Sequence, residues 1–152
     1  ISGPSQFGKQ DQGFISHWLW SHLIKKNLSY IGYGGSGKQV RDVLHIKDLC
    51  ELILLQIKKI NSKYNLTFNV GGSNFSYINL KLLTNICKKI TGNSIRFKKI
   101  YKTSNYDIPY YITDNKKVSI YYNWKPKRDI YKIVLDTYNW LIMNKSKIRK
   151  YF

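Results

Sequence analysis

The residues best suited to chemistry are gathered in Gly32-Tyr33-Gly34-Gly35-Ser36-Gly37-Lys38-Gln39-Val40-Arg41-Asp42-Val43-Leu44-His45-Ile46-Lys47-Asp48-Leu49, where a glycine-rich turn leads into an apolar run carrying one arginine. Gly32, Gly37 and Lys38 fit the spacing of a P-loop, in which backbone amides cradle phosphates and a Ser or Thr after the lysine holds magnesium. Gln39 stands where that hydroxyl is needed. Gly32, Gly34 and Gly37 also fit the G-x-G-x-x-G dinucleotide turn. Both patterns require a helix to open at once, so that its positive end faces the anion. The β-branched and apolar run from Val40 to Ile46 reads instead as a strand. The glycines are therefore read as turn formers.

The elements that must position this stretch follow from periodicity. From Asp11 to Lys26, Phe14, Ile15, Trp18, Leu19, Leu23 and Ile24 recur at helical spacing, with Lys25 and Lys26 at the negative end of the helix dipole. His17 and His22 read as helix-face residues, because no acidic or thiol partner stands at metal-ligand spacing. Leu28 to Tyr33 is a short strand feeding the glycine loop. Asp48 to Ile60 reads as a helix apolar nearly all round, a sign of burial against a sheet. Leu66 to Val70 reads as a strand ending at Gly71-Gly72, and Ser76 as the N-cap of a helix that stops at Gly92. Ile95 to Ile100 and Tyr110 to Thr113 are strands, and Asp114 caps a brief helix to about Tyr121. Trp124-Lys125-Pro126 is a turn, Asp129 to Met143 a last helix, and Lys145 to Lys150 a basic, frayed tail.

Composition sets the outer limits. A chain of 152 residues with 43% hydrophobic and 15% aromatic residues can fill the core of one domain. Lys+Arg outnumber Asp+Glu by 26 to 8, a net charge of +18 that in general favours polyanion partners. The lysines are spread along the chain among many Ile, Asn and Tyr rather than set in an arm, so no nucleic-acid partner is expected; a small basic nucleic-acid-binding domain stays as the competing class. Cys50 and Cys87 each sit in an apolar helix-like stretch and read as buried free thiols of a reducing, cytoplasmic setting, without a metal. No apolar run reaches membrane-spanning length, so no membrane partner is expected.

Five ordered segments carry a resemblance. Gln39 to Leu49 resembles the Arg-Asp-aromatic/apolar-x-His/Tyr-Val-x-Asp signature of the extended short-chain dehydrogenase/reductases, the NAD-dependent sugar-nucleotide epimerases and dehydratases. Ser2-Gly3-Pro4-Ser5-Gln6-Phe7-Gly8 with Asp11-Gln12-Gly13-Phe14, Phe68-Asn69-Val70-Gly71-Gly72, Asp107 to Asp114, and Trp124-Lys125-Pro126 are similar to segments of the same group, above all of members acting on CDP-linked dideoxyhexoses.

The resemblance implies an α/β fold comprising the C-terminal part of a Rossmann-type sheet and a small mixed substrate-binding lobe over residues 1–152, the NAD-binding half lying outside this sequence. It implies NAD as cofactor, a nucleotide-sugar as substrate, inversion at C2 by hydride removal and return, and a homo-oligomer at full length. A dehydratase or reductase of the same superfamily is the alternative. Arg41 matches the signature's arginine, whose bidentate guanidinium suits a diphosphate; its competing role is an ion pair with Asp42 or Asp48. Asp42 and His45 match the signature's structural half. Gln6, Phe7, Asp11, Gln12, Gln39, Lys102 and Asp107 are implied in substrate binding, and Ser2, Gly3 and Pro4 in lining the nicotinamide. Ser104 and Ser5 stand where the group usually carries further arginines. The proton-transferring Tyr-x-x-x-Lys pair is not matched here, so no catalytic residue is assigned, and a chain lacking that half is expected to be inactive and to expose apolar faces.

Overall fold

The computed structural model describes residues 1–9, 12–60 and 66–152. The helices are α1 (Phe14–Leu23), α2 (Ile46–Lys58), α3 (Leu80–Thr91), α4 (Lys116–Tyr122), α5 (Ile130–Met143) and the short α6 (Lys145–Ile148). The strands are β1 (Leu28–Ile31), β2 (Val40–Asp42), β3 (Tyr77–Asn79), β4 (Phe97–Ile100) and β5 (Tyr110–Tyr111). β1 and β4 pair in parallel with Leu28 opposite Phe97, which demands a long crossover rather than a tight turn. β2 is the middle strand of the second sheet, antiparallel to β3 and parallel to β5, so Arg41 lies between Ile78 and Tyr111. The architecture is the mixed α/β one expected.

Local chemistry sets most helix ends. Asn79 accepts from the Leu82 amide at 2.8 Å to open α3, and Asp129 accepts from the Lys132 amide at 2.9 Å to open α5. α3 stops at Gly92, whose φ of 70° suits a residue without a Cβ. Asp114 accepts from the Lys116 amide at 2.7 Å.

The main core lies where α1, α3 and α5 pack together beside β1. Leu19, Leu83, Cys87, Ile133, Val134 and Leu141 are completely buried there. Burial pushes the Cys87 thiol far above its ordinary range, so it behaves as a small apolar side chain. A second cluster joins Leu44 and Leu52 to Val118 and Trp124. At its edge the buried Asp48 accepts from the amides of Lys127 and Arg128 at 3.1 and 3.0 Å and pairs with the Arg128 guanidinium, whose Nη2 also reaches Glu51 at 2.9 Å.

Several expectations need correction. Residues 66–70 form no strand, and Ser76 does not cap α3: its hydroxyl is buried without a partner among the described residues, and β3 intervenes before the cap at Asn79. The tail expected to fray is instead α6 followed by a 3-10 turn, fastened by Phe152 stacking on Trp20 at 4.8 Å. α2 is not buried all round. Only Asp48 and Leu52 are sequestered, whereas Ile53, Leu54 and Ile57 face outward and Cys50 is exposed.

Candidate functional site

The centre of β2 builds the site. A residue in the middle of a three-stranded sheet has its backbone fixed on both sides, so the Arg41 side chain projects from a rigid base. Its Nη1 donates to the Val40 carbonyl at 2.7 Å and its Nη2 to Asp107 Oδ1 at 2.6 Å. Gln39, two positions earlier on the same face, donates from Nε2 to the Ile31 carbonyl at 2.7 Å and to Asp107 Oδ2 at 3.3 Å. Arg41 therefore pairs with neither Asp42 nor Asp48. Asp42 accepts from the Ser73 amide at 2.9 Å, and Asp48 is taken by Arg128.

The glycine turn serves this arrangement from the side. Tyr33, with a φ of 45°, places its amide 2.8 Å from Thr103 Oγ1 and its hydroxyl 2.6 Å from the Asp107 carbonyl. The loop thus clamps residues 103 to 107 rather than presenting amides to an anion, and β2 follows it where a phosphate loop would open a helix.

Arg41, Gln39 and Asp107 share one wall of a cavity of about 420 Å³, within the range of small-ligand sites. Phe14, Trp18, Leu28 and Ile78 give it an apolar side, while His17, Lys26, Asn27 and Ser29 add polar groups. Burial, and secondarily the charge of Lys26, lower the His17 pKa, so its ring stays neutral at pH 7. Sequence reasoning missed the α1 contribution, because a helix-face histidine has no local signature of the cavity that a distant strand closes over it.

The remaining candidates lie elsewhere. Ser2 bridges to His45 and exchanges backbone hydrogen bonds with Leu44 and Ile46 at 2.8 and 2.9 Å, which docks Ser2, Gly3 and Pro4 on the junction between β2 and α2. A Cβ on Gly3 would meet Ile46 Cγ2 at 2.8 Å, so its close approach is to this chain's own helix. Gln6 is held by Ser2 Oγ at 2.8 Å and donates to the Ile1 carbonyl at 3.0 Å. Phe7 packs edge-on to Trp140 and Tyr151 at 5.6 and 5.2 Å, away from the cavity. Gln12 exchanges backbone bonds with Lys9, Lys102 is exposed and does not line the cavity, and Asp11 lies outside the described residues. Among the described residues no three acidic, histidine or cysteine side chains cluster as metal ligands.

His45 caps α2 by accepting from the Lys47 amide at Nδ1, 3.0 Å away. Its neutral tautomer therefore carries the proton on Nε2, which faces Asp136 Oδ2 at 3.3 Å. Burial outweighs that carboxylate and lowers the His45 pKa.

Residues 1–71 match the model of the NAD dependent epimerase/dehydratase family. This part of the chain is similar to that family. A curated relative, CDP-paratose 2-epimerase of Salmonella typhi, is 27% identical over 140 residues, covering 91% of this chain and 41% of the relative. An epimerase from Methanothermobacter thermautotrophicus superposes with a TM-score of 0.80 at 14% identity, covering 97% of this chain and 42% of that one. A UDP-glucuronic acid 4-epimerase from Bacillus cereus, solved with UDP-glucuronic acid and NAD, gives 0.76 at 19% identity over 93% of this chain and 42% of that one. The α/β fold of this chain is thus shared with those structures, and the chain spans about two fifths of their length. The glycine turn leads into a strand, and Ser2 is held by backbone bonds to Leu44 and Ile46.

Proposed function

We propose that this chain is the C-terminal, substrate-binding portion of an NAD-dependent nucleotide-sugar epimerase, acting at C2 of a CDP-linked dideoxyhexose, in a protein that assembles as a homo-oligomer. What supports the reading is Arg41, on a rigid strand, lining with Gln39 and Asp107 a cavity that Phe14, Trp18, Leu28 and Ile78 also line. That mixture of charged and apolar lining suits a ligand with a flat, weakly polar base and a diphosphate. Arg41 supplies the positive charge for the diphosphate, and Gln39 holds the wall in register. NAD supplies the hydride chemistry when bound, and no step is assigned to the residues of this chain beyond binding and orienting the sugar nucleotide.

Calorimetric titration with CDP tests the phosphate contact. Arg41→Ala should weaken binding by about tenfold to a hundredfold, as expected for loss of a charge-assisted contact. Equal affinity of variant and parent would remove Arg41 from the site. The reaction itself is tested on a protein that joins this chain to an NAD-binding half, incubated with NAD and CDP-paratose, by reading the C2 configuration by NMR. Inversion of C4 in a UDP-hexose in its place would move the assignment to another epimerase.

A further inference from the structure

His45 joins three separate parts of the chain. Its ring is completely buried, and its Nδ1, which has a single lone pair, accepts from the Lys47 amide at 3.0 Å to cap α2. Nε2 faces Asp136 Oδ2 of α5 at 3.3 Å, and the other oxygen of that carboxylate accepts from Lys132 Nζ at 2.7 Å. On the backbone side, the Ser2 amide donates to the Leu44 carbonyl at 2.8 Å and the Ile46 amide to the Ser2 carbonyl at 2.9 Å, so Ser2 brackets His45 as a strand partner would. The ring lies against Gly3, where a Cβ would stand 3.7 Å from His45 Cε1. Charge around the ring is divided. Asp136 and Asp48 favour a proton on it, Arg128 opposes one, and residues 1–4 carry no charged side chain.

A second proton changes what one atom of this ring can do. The neutral ring accepts at Nδ1, whereas the imidazolium carries N–H on both nitrogens and accepts at neither. Protonation sets an N–H against the Lys47 N–H and leaves the first turn of α2 without its cap. Asp136 does not restore the cap, because it faces the nitrogen that carries a proton in both forms. We propose that His45 is a pH-sensitive latch: neutral, it holds residues 2–4 and the first turn of α2 as one unit, and protonated, it releases them together. The ring then leaves the space between Gly3 and Asp136, and the backbone bonds of Ser2 open with it. Ser2 to Pro4 are the residues that the family resemblance implies in lining the nicotinamide, so in a complete enzyme the latch makes the hold on the cofactor depend on pH. That consequence rests on the reading above, whereas the latch itself is tested without it.

The experiment is amide hydrogen exchange on the purified chain from about pH 7.5 to about pH 5.5, one unit either side of an ordinary imidazole, expressed as protection factors so that the intrinsic effect of pH on exchange cancels. Protection at Ser2, Ile46 and Lys47 should fall together by up to about tenfold, the limit one unit below the ordinary value when only the open form takes the proton. In His45→Asn, whose carboxamide oxygen accepts at the cap and does not titrate, the same amides should keep their protection across the range. A fall of equal size in His45→Asn, which retains His17 and His22, would assign the response to those rings and overturn the latch. Loss at Lys47 with Ser2 and Ile46 unchanged would overturn it as well, since the cap would then open without the segment. So would no loss at any of the three. Should His45→Asn melt early, His45→Gln also lacks a titrating ring and is read in its place, the pH dependence and not the level of protection being the test. The CDP titration of Arg41→Ala decides the nucleotide-sugar reading separately, and its failure leaves the latch standing.

Discussion

The hydroxyl of Tyr33 donates to the backbone carbonyl of Asp107 at 2.6 Å, joining positions 74 residues apart. The glycine turn and the segment before β5 are thereby one unit, even though they belong to different halves of the chain. Tyr33→Phe removes the hydroxyl and keeps the ring. Because this bond is exposed, global stability should fall by only about 0.5–1 kcal/mol. The local effect should be larger, seen as faster amide hydrogen exchange at residues 104 to 107 with the core unchanged; uniform protection across the two proteins would show that the clamp does not hold the segment.

Arg128 joins the start of α5 to α2 through the buried carboxylate of Asp48 and the more exposed Glu51. Removing the guanidinium leaves Asp48 with two backbone donors and no countercharge. Arg128→Ala should cost about 3–5 kcal/mol in urea unfolding, the range for an orphaned buried charge. Arg128→Lys should recover part of it, because an ammonium cannot span both carboxylates as a fork does. A loss below about 0.5 kcal/mol for Arg128→Ala would place the pair among ordinary surface contacts.

Gly71 and Gly34 separate space from backbone strain. A Cβ on Gly71 would run into Asp42 Oδ2 and Thr113 Oγ1, and its amide and carbonyl are both held by Asn115, at 2.9 and 2.7 Å. Gly34 has a φ of 71° and open space around it. Gly34→Ala should therefore cost only the left-handed conformation, about 1 kcal/mol. Gly71→Ala should exceed that at least twofold by the same melts, and the reverse order would contradict the packing around Asn115.

Much of this molecule is legible from its residues alone, and the limits are physical. α1 and α5 carry apolar side chains at a 3.6-residue period, and Asp129 and Gly92 mark ends through local hydrogen bonds and a left-handed φ. β3 was not legible. Three residues directly before a helix show no alternation, and Ser76 looks like a cap although a strand partner 34 positions away claims the segment after it. The outer face of α2 reads as buried because periodicity records apolarity, not which surface covers it. At the candidate site, Arg41 and Gln39 are legible as part of one motif, but the Arg41 pair with Asp107 spans 66 positions and has no local signature. Phe7 shows the converse. A segment resemblance points it toward substrate, whereas its ring is held by Trp140 and Tyr151.

The histidines predict the response to acid. Burial is the largest cause lowering the pKa of His17, His22 and His45 below the ordinary value of 6.5. The unfolded chain binds protons first, so the stability these groups contribute is complete above pH 6.5 and is lost as pH falls below it. The melting temperature should therefore drop steadily from pH 7 to pH 5, before the lowered carboxyls of Glu51 and Asp136 begin to protonate. His22 is the sharpest probe. Its Nδ1 donates to the Trp18 carbonyl at 2.7 Å while Nε2 has no partner among the described residues, and its NMR titration midpoint should lie below that of a free imidazole. A flat melting profile over this interval would count against neutral buried rings.

Ile53, Leu54 and Ile57, at 43%, 58% and 58% exposure, turn α2 into an adhesive strip on a molecule of net charge +18. At low ionic strength, long-range repulsion between like-charged copies holds such strips apart. Salt shortens that reach to about 8 Å at 0.15 M, after which two strips can meet and exclude water. The colloidal behaviour of the protein is therefore inverted relative to proteins that need salt to stay dispersed: it should remain clear in dilute buffer and scatter light as salt is added, and Leu54→Lys should move the onset to higher concentration.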